Sequence, residues 1–214
     1  MLRATYGKHF IPVHTLNGWL NVEYFSWIGL ILGFYSAIAG AGLISKEMEK
    51  KTMEVLLAQP VRRTSILLGK FIAFIFYLTL LCSASYLILL LSIQIFLGER
   101  PEYRPFFFIF VNTFVLDLFL AGAALVVSTL CSDQKKGILI TIGLFVAFYI
   151  INVVLKLHPK LEAYSWITPF SYSDPSFVLT HHSLQLGNIF VLFAGTILLY
   201  AAAQIIFWKK DIRI

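Results

Sequence analysis

Five long apolar runs constrain this chain more than any other feature of its sequence. Each is long enough to cross the hydrocarbon core of a bilayer as a helix. A backbone that crosses lipid must pair its polar groups internally, so runs of this kind predict helices. The sequence therefore predicts an all-α integral membrane protein, a single transmembrane domain over residues 1–214 with five membrane-spanning helices, at 24–45, 71–97, 106–131, 137–155 and 186–208.

Composition supports this class and argues against others. Hydrophobic residues make up 59% of the chain and charged residues only 13%, whereas about 25% of a soluble domain is charged. The net charge of +6 does not indicate nucleic-acid binding, because the basic residues stand mainly at the ends of apolar runs. Cys82 and Cys131 lie at different predicted depths and form no CxxC pair, so we interpret them as small buried hydrophobes.

The distribution of lysine and arginine predicts the orientation. Eleven of the 17 lie on the side that holds residues 46–70, the Lys135–Lys136 turn and the C-terminal tail. Cytoplasmic loops carry such an excess, so these segments are predicted to be cytoplasmic. The N-terminal segment, 1–23, is then external. Segment 157–185 is also external, and its prolines and aromatic residues predict an interfacial or re-entrant structure.

We call residues 44–70, the charged interruption between the first two apolar runs, the elbow. Met53, Leu56 and Leu57 recur at helical spacing, and Pro60 is expected to end the helix. Residues 46–63 are therefore predicted to form a short amphipathic helix and a turn on the cytoplasmic face. Such a helix either lies among the lipid headgroups or inserts into a groove on a partner, and periodicity alone leaves both open. The charged residues on its other faces are spaced to pair four apart, Glu47 with Lys51 and Lys50 with Glu54.

Asp117 is the one acidic residue inside an apolar run. An ionisable group at that depth is costly, so it marks either a substrate or gating contact, or a carboxyl that is protonated or satisfied by a neighbouring helix. Candidate donors for the second interpretation are Asn112, Ser83, Ser85 and Asn152.

The first apolar run carries small residues at intervals that suit close helix packing. Such residues let two helices approach closely in lipid. They favour equally a subunit or gate interface and ordinary packing within the bundle. The positions are Gly29, Gly33, Ser36 and Gly40.

Motifs for soluble chemistry are missing from the sequence. It contains no GxxxxGK[ST], so it does not bind ATP by that route, and no HExxH or GxSxG. His181 and His182 are adjacent and would point to different helix faces, which does not favour a metal site. We therefore predict no catalytic residue and no metal ligand.

The elbow sequence, ISKEMEKKTMEVLLAQPVRRTSILLGK, resembles the segment that follows the second span of ABC-2 type transporter permeases. The PFSYSDPSF stretch at 169–177 is similar to the re-entrant outer segment of that family. The residues that carry the resemblance are Glu47, Glu49, Lys51, Thr52, Glu54, Leu56, Leu57, Pro60, Arg63, Leu67, Gly69 and Lys70.

The resemblance implies a permease subunit, an exporter, coupled to an ATP-binding subunit that holds ATP and magnesium. A second permease copy or a homologous permease would complete the transporter. The family usually has six spans, so residues 1–23 would correspond to its first external loop, and the first span would be missing here. The alternative is a non-transporting anchor or regulatory subunit of a larger membrane complex. The resemblance implies a coupling helix whose partner-binding residues are Glu47, Glu49, Lys50, Lys51, Met53, Glu54, Leu56, Leu57, Pro60, Arg62 and Arg63.

Overall fold

The computed structural model describes residues 14–53, 56, 62–98, 100–157 and 160–210, and within these it contains helices and turns but no strand. Five helices are long and apolar enough to cross a membrane, which confirms the predicted class. They are α1 (Leu16–Glu49), α2 (Arg63–Leu97), α3 (Tyr103–Leu130), α4 (Gln134–Leu157) and α6 (Leu186–Lys209). A short helix, α5 (Pro175–His181), lies between α4 and α6.

The first helix is longer than its apolar run. It begins at Leu16, where the Thr15 hydroxyl accepts a hydrogen bond from Gly18 N at 3.1 Å. It widens into a π-helical stretch at Leu20–Phe25 and then continues to Glu49. The sequence from Ser45 to Glu49 has no glycine or proline, and its residues include good helix formers, so nothing ends the helix at the membrane boundary.

This length corrects the predicted boundaries of the coupling helix. Glu47 and Glu49 lie on the last turns of α1 and not on a separate surface helix. The helix ends at Glu49 with Lys50 as its C-cap, and Lys51 takes a left-handed backbone conformation with φ of 55°. The rest of the predicted helix falls largely outside the described residues, including Glu54, Leu57 and Pro60.

Helix α3 is the centre of the bundle. Most of its apolar stretch is buried, whereas α2, α4 and α6 expose most of theirs, as expected for helices that face lipid. Against α1 the backbones approach closely: a Cβ added at Gly40 would lie 2.7 Å from the Ala124 Cβ and 3.1 Å from the Ala121 carbonyl oxygen. Small residues make this contact possible.

The small-residue positions of α1 therefore divide. Gly33, Ser36 and Gly40 are buried inside the bundle. A Cβ added at Gly33 would lie 2.6 Å from the Phe145 ring on α4. At Gly29 the same atom would meet nothing within 4 Å. In the described chain these positions thus serve packing within the bundle, except at Gly29.

The segment between α4 and α6 is irregular, as predicted. It makes 3₁₀ turns at Glu162–Ile167 and Pro169–Tyr172 before α5. Thr168 is fully buried, and its hydroxyl donates to Asn152 Oδ1 of α4 at 3.0 Å. Irregular backbone is stable at such a position because it packs on protein.

Candidate functional site

The five long helices alternate in direction, which brings most of the basic residues to one end. We call the end that holds the C-terminus of α1, the start of α2, the α3–α4 turn and the C-terminus of α6 the basic face. The other end is the opposite face. The elbow lies at the basic face, where polar contacts join the five long helices.

A carboxylate at the end of α1 fixes the two helices that flank the elbow. Glu47 Oε1 accepts a hydrogen bond and ion pair from Lys70 Nζ of α2 at 2.9 Å. Its other oxygen accepts from the Thr52 hydroxyl. The sequence suggested Lys51 as the partner of Glu47, but its carboxylate contacts Lys70 and Thr52. The pair is only about a quarter exposed at each side chain, so it is less screened by solvent than a surface pair.

A second carboxylate joins α1 to α4. Glu49 Oε2 accepts from the backbone N–H of Gln134, the first residue of α4, at 3.0 Å. Asp133 Oδ1 accepts from Lys136 N at 3.1 Å in the same turn. Carboxylates at a helix N-terminus satisfy free N–H groups and complement the helix dipole. The end of α1 and the start of α4 are therefore linked.

The end of α6 is attached to α3 and α2. Lys210 Nζ donates to the carbonyl oxygens of Thr129 at 2.8 Å and Leu130 at 3.1 Å, the last residues of α3. Arg63 of α2 donates to the Lys210 carbonyl at 3.0 Å. Burial lowers the pKa of Lys210, and nearby Cys131 acts in the opposite direction. A cation at a helix C-terminus pairs with unsatisfied carbonyls.

One hydroxyl joins α1 to α3 at the backbone. Ser128 Oγ accepts from Ile44 N at 2.9 Å and from Ser45 N at 3.0 Å. Ser45 Oγ donates in turn to Ala41 O at 2.6 Å. Ser128 is fully buried. Sequence reasoning missed this contact, because a serine in an apolar run is common and carries no positional signal.

The apolar residues of the elbow face the bundle. Met53 is only 1% exposed, and Leu56 packs against the same cluster, which includes Ile44, Leu67 and Leu125. These two members of the predicted stripe are thus occupied by the chain itself. The exposed side chains left on the described part of the elbow include four cations, Lys46, Lys50, Lys51 and Arg62.

Asp117 lies on α3, away from both faces. Its side chain is fully buried, and neither carboxylate oxygen has a hydrogen-bond partner among the described residues. One of the suggested donors is used elsewhere, since Ser85 Oγ donates to Cys82 O, whereas Asn152 accepts from the Thr168 hydroxyl through Oδ1. The prediction of a neighbouring helix that satisfies Asp117 is therefore not met in the described chain.

Comparison with known proteins fits this architecture. Two curated proteins, each named a probable multidrug ABC transporter permease, YbhS, come from Escherichia coli K12 and O157:H7. Each is 26% identical over 199 residues, which cover 87% of this chain and 50% of the relative. The chain thus spans about half the length of these relatives. The family described as "ABC-2 family transporter protein" matches residues 13–212. The chain therefore belongs to the ABC-2 family of membrane transporter proteins.

Proposed function

We propose that this chain is a membrane-spanning permease subunit of an ATP-driven ABC transporter, and that residues 46–63 of the elbow contact a separate ATP-binding subunit. The observation that carries the proposal is the set of polar contacts at the basic face. Through them the elbow is attached to every long helix, directly or through one neighbour. A partner that displaces the elbow would therefore displace the bundle.

A displacement of the elbow would reach the other helices through these contacts. The contact of Glu47 with Lys70 would transmit the displacement to α2, and the contact of Glu49 with Gln134 would transmit it to α4. The two hydrogen bonds that Ser128 accepts from the α1 backbone would transmit the displacement to α3. The partner holds ATP and magnesium and supplies the motion. This chain supplies a stiff connection and changes the access of its pathway between the two sides of the membrane.

The proposal also includes the orientation of the chain in the membrane and the direction of transport. With the elbow and C-terminus cytoplasmic, segments 1–23 and 157–185 are external. The relatives are named as multidrug permeases, which supports export of drug-like compounds. A second copy of the chain, or a homologous permease, would complete the pathway. Asp117 is the proposed pathway residue, because a buried carboxylate with no partner in the described chain is available to a cargo.

Paired charge reversals on the basic face test the partner contact. The double variant Lys50→Glu/Arg62→Glu reverses two exposed cations of the elbow. The matched control, Lys135→Glu/Lys136→Glu, reverses two exposed cations on the same face outside the elbow. Each protein is purified from membranes, and the co-purified ATP-binding protein is quantified by labelling with an azido-ATP analogue.

The elbow variant should lose about tenfold or more of the co-purified partner, since like-charge contacts at an interface are costly. The control should retain it within about twofold. Equal retention by both variants would remove the elbow as the docking site. Retained binding together with unchanged drug efflux in Asp117→Asn would remove Asp117 from the pathway.

A further inference from the structure

A cavity of about 220 Å³ opens at the opposite face, away from the elbow. Its walls come from α1, α3, α4, the irregular segment before α5 and the first residues of α5. The apolar part of its lining, which we call the floor, includes Phe25, Leu30, Leu116 and Phe170. This is also where Gly29 faces open space instead of a neighbouring helix.

The rim of the cavity carries two opposite charges that do not pair with each other. Lys156 stands on the last turn of α4, and Asp174 precedes α5. Asp174 Oδ1 accepts from Ser176 N at 3.0 Å, which caps α5, and no described residue donates to Oδ2. Neither charge forms an ion pair within the residues that the structure describes. The cavity therefore holds a cation and a carboxylate apart.

Hydrogen bonds between its walls keep the cavity in shape. Asn21 Nδ2 of α1 donates to Ser176 Oγ at 3.0 Å, and Thr168 donates to Asn152 Oδ1 of α4. Both asparagines and both hydroxyl residues are buried. The irregular segment is thus fixed to α1 on one side and to α4 on the other. A preformed cavity that combines fixed polar groups with apolar side chains has the character of a ligand site.

We propose that this cavity binds the headgroup of a zwitterionic amphiphile. Lys156 receives the phosphate and Asp174 receives the ammonium group, while the first carbons of the chain lie on the apolar floor. The volume suits a headgroup and not a whole lipid, so the rest of the molecule would remain in the bilayer. A ligand with only one charge would leave the other rim charge uncompensated. The proposal stands independently of the ATP-binding partner.

Binding of short-chain lipids to the full-length chain in uncharged detergent tests the site. The probes are dihexanoyl phosphatidylethanolamine, dihexanoyl phosphatidylglycerol and dihexanoylglycerol, which are zwitterionic, anionic and uncharged. The variants are Lys156→Gln and Asp174→Asn. Asparagine caps a helix as well as aspartate does, so the second variant removes the charge and keeps the cap. Lys160→Gln, at a nearby exposed lysine, is the matched control.

The zwitterionic probe should bind tightest to the unmodified chain. Lys156→Gln and Asp174→Asn should each weaken it about tenfold, and Lys160→Gln should leave it within about twofold. Asp174→Asn should strengthen binding of the anionic probe, a gain that loss of folding cannot produce. Unchanged binding in Lys156→Gln, or equal binding of the uncharged probe, would overturn the proposal.

Discussion

Two polar side chains buried in α3 differ in how they are satisfied. Ser128 accepts two backbone hydrogen bonds from α1. Asp117 has no partner for either oxygen in the described chain. A buried polar group without a partner costs free energy, so the two residues should respond to substitution in opposite ways.

Replacing Asp117 by leucine should stabilise the fold. The change removes an unsatisfied carboxyl, which we expect to be worth about 1–3 kcal/mol. The measurement is the free energy of unfolding in detergent, with drug efflux measured in parallel. Efflux should fall while stability rises, because a group kept at a cost to the fold is expected to serve the pathway. A loss of stability would mean that Asp117 has a structural partner.

Replacing Ser128 by alanine should destabilise the fold by about 0.6–1.7 kcal/mol, the range for hydrogen bonds between membrane helices. The matched control is Ser132→Ala in the exposed α3–α4 turn, which should change stability by less than about 0.5 kcal/mol. Thermal unfolding of both proteins gives the comparison. Equal stabilities would show that the Ile44 and Ser45 amides are as well satisfied without the hydroxyl.

At the scale of elements, α1 is the helix that connects the elbow with the rest of the bundle. Its small residues look equivalent in sequence, but only some of them face a neighbouring helix. Gly40 lies against Ala121 and Ala124 of α3, whereas Gly29 lies beside the cavity. Whether a small residue of α1 serves helix packing therefore depends on the residues around it and not on its spacing in the sequence.

Alanine at these two glycines should separate the two environments. Gly40→Ala should cost about 1–3 kcal/mol, because its Cβ would overpack against Ala124. Gly29→Ala should be neutral or slightly stabilising, since alanine favours helix and nothing obstructs it. Unfolding in detergent measures both. Adding Ala124→Gly to Gly40→Ala should recover part of the loss, and no coupling between the two would argue against the close approach.

The elements also mark what sequence could and could not provide. The five spans could be predicted from the apolar runs, because a backbone that crosses lipid must pair its polar groups internally. The ends of the helices could not be predicted in this way, since α1 continues beyond its apolar run into charged residues that favour helix. The capping role of Lys210 was hidden among ordinary basic residues near the C-terminus. The spacing of Met53 and Leu56 in the sequence indicates an apolar stripe, but their contact with the bundle itself depends on tertiary packing.

At the scale of the whole molecule, the two ends of the bundle are built differently. The basic face is held by charged and polar contacts that reach all five long helices, whereas the opposite face contains an open cavity. Because the contacts of the basic face join the long helices there, motion that enters at the elbow would reach all of them. Double neutralisation, Glu47→Gln/Glu49→Gln, should therefore loosen the basic face. Hydrogen exchange should rise at the ends of α1, α2 and α4 and stay unchanged in α5; uniform exchange would contradict this division.

Site-specific photocrosslinking tests the central claim, that the elbow receives an ATP-binding subunit, most directly. A photoreactive residue replaces exposed Lys50 in the elbow or, as the control, exposed Lys160 on the opposite face. After irradiation of native membranes, crosslinked proteins are probed with azido-ATP. We expect an ATP-labelled adduct from position 50 and none from position 160. No ATP-labelled adduct from position 50, or equal adducts from both positions, would contradict the account.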